Sequence, residues 1–388
     1  MKDLFLACER GTSPYVEAEA RLRSFGHEVT KSDTCVVFHE SSVRDLLAAA
    51  YLLQTPTRVG ALLCSADVTP SLEESLHNLE TAIGSLDFER FLNKDKSFSV
   101  VCNREGTHDF NSIDLAQETG RVIRRLAKEA FGEAPRVDIK KPDILLYLHV
   151  DEDQAWLSLD LLGYDASKRP YKVFNNPHSM KGPSAASLLM ASGWAPGKVL
   201  VDSYAGGGEV PIEAALMASG KSVRYYEKDL LVKKHHFFVE HADKVLAELD
   251  KAIVDVADKT VHCFDAQLRN INAAKKNAKI AGVDKAVEFS KMDVEWLDTK
   301  LTEKSVDCIV TQPIEASKHV PQKKVSGLNK QLFYQADFVL AKAGSLTFLC
   351  QKPEDLMPAA DEYGFVVDVR EQVFTGKLPQ WVVRFVRK

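Results

Sequence analysis

Val199-Leu200-Val201-Asp202-Ser203-Tyr204-Ala205-Gly206-Gly207-Gly208-Glu209-Val210-Pro211-Ile212-Glu213-Ala214-Ala215-Leu216 is the stretch that decides how this chain folds. An apolar run closes on an acid, three glycines follow, and a second apolar run opens. That order predicts a strand, a tight turn and a helix. Glycines let a backbone approach a ligand closely, and the N–H groups that open a helix are free to bind it. Ligands of open α/β sheets sit outside the C-terminal strand ends, so Asp202 and the turn mark one wall of a candidate site. A turn that needs glycine only for a left-handed backbone accounts for one glycine; three after such a strand point to a ligand.

Around this stretch the pattern alternates. Strand-like runs fall at 198–202, 222–226, 260–265, 286–293, 306–311 and 345–350, and helical ones at 210–218, 230–253, 271–281, 332–340 and 353–363. Such alternation builds a parallel sheet with helices on both faces. The end, 365–374 and 381–386 around Thr375-Gly376-Lys377, reads as an antiparallel hairpin. Val261-His262-Cys263-Phe264-Asp265, followed by Ala266, is a second strand ending in an acid, placed to accept both hydroxyls of a ribose. A third, 287–293, ends at Asp293 before Val294, where a carboxylate accepts from an adenine amine. Asp265 alone is as readily a helix cap. Glu227 is its rival for the ribose if 222–226 is the second strand; if Asp265 holds that place, 226–259 is an inserted helical excursion.

Upstream, apolar runs at 4–7, 35–39, 59–64 and 98–102 alternate with helical stretches at 15–25, 43–53 and 72–86, a mixed α/β pattern. An amphipathic helix over 113–131 carries Arg121, Arg124, Arg125 and Lys128. Two runs, 143–150 and 155–161, flank Asp151-Glu152-Asp153-Gln154 as a hairpin that closes the first region. Residues 163–180, with Lys168, Arg169, Pro170, Tyr171 and Lys172, read as a linker.

Composition narrows the class. A chain of 388 residues exceeds what one core usually serves. With 45% hydrophobic and 27% charged residues it is an ordinary globular sequence, neither disordered nor fibrous. Its apolar runs fall short of the ~20 residues that span a bilayer, and the first ten residues are broken by charge, unlike a secretory signal. The expectation is a cytoplasmic protein without membrane contact. Seven scattered cysteines read as free thiols, and with no Cys/His group at zinc spacing no metal is expected. The net charge of −5 excludes wholesale coating of nucleic acid but leaves room for a local basic surface. His235-His236 reads as a helix face rather than a ligand pair, because adjacent helix positions diverge.

The three acid-ended strands together resemble the class I S-adenosylmethionine methyltransferases. The wider match is to THUMP-domain RNA methyltransferases. It is carried by Leu4-Phe5-Leu6-Ala7-Cys8-Glu9-Arg10-Gly11, Gly106-Thr107-His108-Asp109-Phe110, Lys141-Pro142-Asp143-Ile144, Lys168-Arg169-Pro170-Tyr171, Gly193-Trp194 and Pro211-Ile212-Glu213-Ala214-Ala215. The resemblance implies an α/β protein: a ferredoxin-like and THUMP RNA-binding region of α+β type over 1–162, the linker, and a Rossmann-like class I methyltransferase domain over 181–388. That domain would hold a mostly parallel seven-stranded sheet with a C-terminal antiparallel hairpin. S-adenosylmethionine would lie on Asp202, Tyr204, Ala205, Gly206, Gly208, Asp265, Ala266, Asp293, Val294 and Thr311. Where the family carries Asp-Pro-x-Cys-Gly-Ser-Gly-Thr, this chain keeps the acid and two glycines but has Ser203, Ala205, Gly207 and Glu209.

Family members that act on exocyclic amines carry Asp or Asn, two prolines and an aromatic residue after the fourth strand. Here Thr311 leads into Gln312-Pro313-Ile314-Glu315. In that chemistry the Asn or Asp side chain and the following carbonyl accept hydrogen bonds from the amine and aim its lone pair. Gln312 offers the acceptor on one more methylene, and Pro313 is kept. The resemblance implies a monomeric tRNA guanine-N2 methyltransferase, with a catalytically silent tRNA-binding relative as the alternative that the altered loop suggests. RNA phosphates are expected on Arg121, Arg125, Lys168 and Arg169, and on Lys318, Lys323 and Lys324 of a flexible loop at 316–330. A merely solvated run of charge is the bland reading of that loop.

Overall fold

The apolar runs of the N-terminal third pair into one sheet. In the computed structural model, which describes residues 2–25, 28–174, 179–256 and 258–388, the strands are β1 (Leu4–Ala7), β2 (Val29–Lys31), β3 (Cys35–Phe38), β4 (Arg58–Asp67), β5 (Ser97–Glu105), β6 (Arg136–Val137), β7 (Ile144–Asp151) and β8 (Gln154–Asp160). Among the described residues their order is β2-β3-β1-β4-β8-β7-β5-β6. The expected hairpin is β7–β8, with Asp151 opposite Gln154. It does not close the region at an edge: β8 pairs with β4 and β7 with β5, so the hairpin fills the middle of the sheet. That position explains why every residue of β7 is buried. The edge strands β2 and β6 escaped prediction because they are three and two residues long and mostly exposed. The amphipathic helix is Ser112–Phe131. Asn111 caps its start, Gly132 in the left-handed region ends it, and Leu115, Thr119, Ile123 and Ala127 form the buried stripe.

The C-terminal strands are β9 (Leu200–Asp202), β10 (Val261–Asp265), β11 (Val287–Lys291), β12 (Val306–Thr311), β13 (Leu340–Cys350), β14 (Phe365–Thr375) and β15 (Leu378–Arg387), in the order β11-β10-β9-β12-β13-β15-β14. Strands β9 to β13 run parallel; β15 is antiparallel to both β13 and β14. Neighbouring residues alternate between two apolar layers. Leu200, Cys263 and Val310 pack with Leu188, Ile212 and Ile271 of the helices Gly182–Ser192, Glu209–Ser219 and Leu268–Ala281. Val201, Phe264 and Ile309 pack in the other layer with Leu332 and Phe333 of the helix Gln322–Val339. Burial on both faces is why these strands read as continuous apolar runs. The chain lays β9, β10 and β11 outward to one side, then returns to β12 on the other side of β9. The switch point therefore lies between the C-terminal ends of β9 and β12.

Three expectations are corrected. Residues 222–226 form a turn, closed by Tyr225 N–H to Ser222 carbonyl at 3.1 Å, because the place beside β9 belongs to β10. The stretch 230–253 is not one helix: a 3-10 turn, Leu231–Lys234, is followed at the extended His235 by the helix Val239–Lys251. The segment 316–330 is not a loop throughout. The helix starts at Gln322, driven by the stripe Val325, Asn329, Leu332, Phe333 and Ala336, so Lys323 and Lys324 stand on its first turn.

Two units result. The first is Met1–Cys8, Ala20–Ala166 and Lys228–Lys251; the second is Glu9–Glu19, Ser167–Glu227 and Ala252–Lys388. Each unit takes a segment from the stretch of sequence that mainly forms the other. Within the first unit, Leu231 and Val232 donate N–H groups to the Leu162 and Leu161 carbonyls, and the Tyr51 hydroxyl donates to Asp250 at 2.7 Å. The His235 and His236 rings stack, and each meets a backbone carbonyl, of Phe91 at 3.2 Å and Glu89 at 2.8 Å. Within the second unit, the Tyr15 hydroxyl donates to Glu371 at 2.6 Å and Ser184 donates to Glu9 at 2.6 Å. Of the expected linker, residues 175–178 lie outside the described residues.

Candidate active site

The glycine turn is held from below by backbone bonds. Ala205 N–H donates to the Phe264 carbonyl at 3.0 Å and Gly208 N–H to the Ala205 carbonyl at 2.7 Å. Gly206 and Gly208 have φ of +53° and +84°, which L side chains rarely adopt. A Cβ at Gly208 would stand 2.8 Å from the Cβ of Ala274, so glycine there also lets the helix Leu268–Ala281 come close. Asn277, fully buried on that helix, donates to the Gly207 carbonyl and to the Phe174 carbonyl, both at 3.0 Å, and accepts the Phe174 N–H. Residue 277 is an amide inside the apolar stripe Ile271, Ala274, Ala278 and Ala281, and that interruption was the readable signal.

Asp202 and Thr311 meet across the switch point. The Thr311 hydroxyl donates to Asp202 Oδ1 at 2.6 Å, and the Tyr204 N–H lies 3.2 Å from both. Burial pushes the Asp202 carboxyl up to about 7 against the pull of those hydrogen bonds. At the end of β10, Asp265 accepts Gln267 N–H at 2.7 Å on one oxygen, and Asn270 at 3.0 Å and Gly206 N–H at 3.1 Å on the other. It thus ties the glycine turn to the next helix as well as ending a strand, with Ala266 exposed beside it. Glu227, its rival, is exposed on a turn outside the sheet. The third strand, β11, stops at Lys291 rather than at an acid. Asp293 follows two residues later, exposed, and opens the 3-10 turn Val294–Thr299, in which Val294 is buried. The Tyr204 hydroxyl is buried without a hydrogen-bond partner among the described residues, and burial, then Asp293 and Asp265, raise its pKa.

Two charged clusters here were missed or misread. Glu209 is buried at the first turn of Glu209–Ser219, with Oε1 3.3 Å from Lys172 Nζ. Arg169 was expected on RNA, but its side chain is buried in a bidentate pair with Glu213 at 2.8 and 3.1 Å, and the Tyr171 hydroxyl donates to the same carboxylate at 2.7 Å. A guanidinium so enclosed faces no phosphate. Glu213, an acid inside the apolar run 210–218, was the sign that a buried cation was needed.

Beyond Thr311, Gln312 is half-buried, Pro313 is buried and Ile314 is exposed. Glu315 accepts the N–H groups of Gln351 and Lys352, which fastens the loop to the end of β13. Lys168, Lys318, Lys323 and Lys324 are exposed and make no ion pair among the described residues. Arg121 is paired with Glu118, and Arg125 with Glu80 and Glu129. No described helix is long and apolar enough to cross a membrane. No described group of three or more His, Cys, Asp or Glu side chains could hold a metal ion.

Residues 169–379 match the model of the RMKL-like methyltransferase domain, and 73–160 match the THUMP domain. The tRNA (guanine(6)-N2)-methyltransferase of Methanocaldococcus jannaschii is 24% identical over 376 residues, covering 94% of this chain and 96% of that protein. Its namesake from Archaeoglobus fulgidus is 29% identical over 262 residues, covering 67% of this chain and 60% of that protein. Among solved structures, SMU.472, crystallised in complex with SAH, superposes with a TM-score of 0.80 at 19% identity over 100% of this chain and 98% of that one. TrmN from Thermus thermophilus gives 0.71 at 20% identity over 100% and 99%. These two likenesses establish the shared fold.

Proposed function

The chain belongs to the RMKL-like methyltransferase-domain family, and from that premise we propose that it transfers a methyl group from S-adenosylmethionine to the N2 amine of a guanine in tRNA. The observation that carries this reading is the end-to-end match, THUMP domain included, to a tRNA (guanine(6)-N2)-methyltransferase. The residues around the glycine turn suit the cofactor. Gly206 and Gly208 bring bare backbone to the switch point, the Tyr204 hydroxyl is buried and unpaired, and three carboxylates suit a sulfonium cation. Asp202, Tyr204, Ala205, Gly206 and Gly208 would hold its methionyl and ribose parts. Asp265 and Ala266 would hold the ribose, and Asp293, Val294 and Thr311 the adenine and the floor.

When bound, S-adenosylmethionine supplies a methyl group on a sulfonium, an electrophile with a good leaving group. An aromatic amine needs no prior deprotonation to attack it, so positioning does most of the work. Gln312 accepts from the guanine amine, and Pro313 fixes the direction of the carbonyl beside it. Lys168, Lys318, Lys323 and Lys324, free of acidic partners among the described residues, hold tRNA phosphates, with Arg121 and Arg125 as contacts of the first unit. A flipped guanine reaches the site as a single base. We read the enzyme as a cytoplasmic monomer.

One observation favours a second reading. Ile314 and Glu315 replace the proline and the stacking ring, and Glu315 is occupied by backbone N–H groups. A tRNA-binding protein without transfer activity would show such a loop. Incubating the protein with radiolabelled S-adenosylmethionine and unmodified tRNA transcripts, then separating the nucleosides, decides between them. Label in N2-methylguanosine supports methyl transfer. The absence of label from any tRNA, with cofactor binding measured separately, overturns it in favour of the silent binder.

A further inference from the structure

Glu209 stands where the resembling family carries threonine. Its carboxylate is buried at the helix N-terminus and folds back over Gly207, where a Cβ would come within 2.7 Å of Oε1. Among the described residues Oε1 makes no hydrogen bond and lies 3.3 Å from the Lys172 ammonium, while the carboxylate also meets the Ser179 side chain. Lys172, itself mostly buried, also donates to the Met180 carbonyl. Taking both charges out of water is costly, and the pair recovers little of that cost unless its remaining hydrogen-bonding capacity is used. A threonine would serve the turn without any such cost. Asp202 ends the strand that leads into the same glycine turn, and Asp265, at the end of β10, accepts a hydrogen bond from its Gly206 N–H. The two oxygens of Asp265 are taken by Gly206, Gln267 and Asn270. Glu209 alone of the three stands beside a lysine.

An ammonium and a carboxylate side by side at a ligand-binding turn are complementary to a zwitterion. We propose that the Lys172–Glu209 pair receives the amino-acid end of the cofactor, Glu209 taking its ammonium and Lys172 its carboxylate. This rests on the S-adenosylmethionine reading above. The pair exchanges one internal contact for two with the ligand, each a charge-assisted hydrogen bond of the stronger kind. Glu209 is then a specificity residue for compounds that keep the amino-acid end.

Calorimetric titration of the full chain with two probes tests this: S-adenosylhomocysteine, and 5′-methylthioadenosine, which keeps the nucleoside and the thioether but has no amino-acid end. Glu209→Gln and Lys172→Met should each weaken S-adenosylhomocysteine about tenfold to a hundredfold and leave 5′-methylthioadenosine within about twofold. Glu209→Thr, which restores the family's residue, should show the same selective loss with an unchanged melting temperature, so a folding defect is separated from a lost contact. Parallel losses for both probes, or no loss for either, overturn the inference. A wild-type chain that binds neither probe overturns the cofactor reading itself.

Discussion

Burial lifts the Asp202 carboxyl to about 7, while an unfolded aspartate titrates near ~4. Folding therefore favours the protonated acid, and the stability it contributes is complete below pH ~4 and is lost as the pH rises through about 7. At ~1.4 kcal/mol per pKa unit the loss is at most about 4 kcal/mol. Asp202→Asn should melt above the wild type at pH 8, with the gap narrowing at pH 5 and closing near pH 4; a gap that does not change with pH would refute the assignment. Asp265 works differently, because its oxygens organise the glycine turn directly. Asp265→Ala should lower cofactor affinity by more than about a hundredfold, as expected when several hydrogen bonds to a charged acceptor go together. Glu227→Ala should leave it unchanged. Titration of both variants with S-adenosylhomocysteine checks the pair, and a loss confined to Glu227→Ala would return the ribose to the rival acid.

At the scale of the element, charge counts less than whether the charge is already paired. The helix Gln322–Val339 begins with Lys323 and Lys324, exposed and without ion pairs among the described residues, whereas Arg121 and Arg125 on Ser112–Phe131 are matched by Glu118, Glu80 and Glu129. Replacing Lys323 and Lys324 together by Ala should weaken tRNA binding and shallow its salt dependence by about two phosphate contacts. Replacing Arg121 and Arg125 should do much less. Filter binding over a salt series separates the two outcomes, and equal effects would show that surface pairing does not decide the contact. The same helix marks the limit of sequence reading. Its apolar stripe was legible from Leu332 onward, but three lysines and a glycine masked the first turns, whose burial rests on Val325 and Asn329. Strands β9, β10 and β12 were legible because both faces are buried. The run 222–226 looked equally strand-like, yet it lost its place to β10, a competition that local pattern cannot reveal. Asp202, Asp265 and the glycines could be read because their chemistry is local; the partners Glu213 for Arg169 and Lys172 for Glu209 could not, because side chains 37 to 44 positions apart meet only in three dimensions.

The chain as a whole does not divide cleanly into pieces along the sequence. Tyr15 is buried in the apolar layer of the second unit and bonded to Glu371, Glu9 serves Lys181 and Ser184, and the Arg10 carbonyl accepts from Phe374 N–H. A fragment spanning 167–388 therefore lacks the short segment Glu9–Glu19 that completes its own core. Removing a buried aromatic alone costs on the order of 3–5 kcal/mol, a large part of the stability of an ordinary domain. The reverse holds for 228–251, whose helix Val239–Lys251 bonds Tyr51 of Val43–Leu52 through Asp250. Replacing 228–251 by a flexible linker should speed amide exchange in Val43–Leu52 while strands β9, β10 and β12 stay protected. The 167–388 fragment should exchange fast in Gly182–Ser192 and β14 and recover protection when a peptide of residues 9–19 is added. Hydrogen exchange read by mass spectrometry distinguishes these patterns. If the fragment is protected without the peptide, residues 9–19 are dispensable and the two units are separable folding units after all.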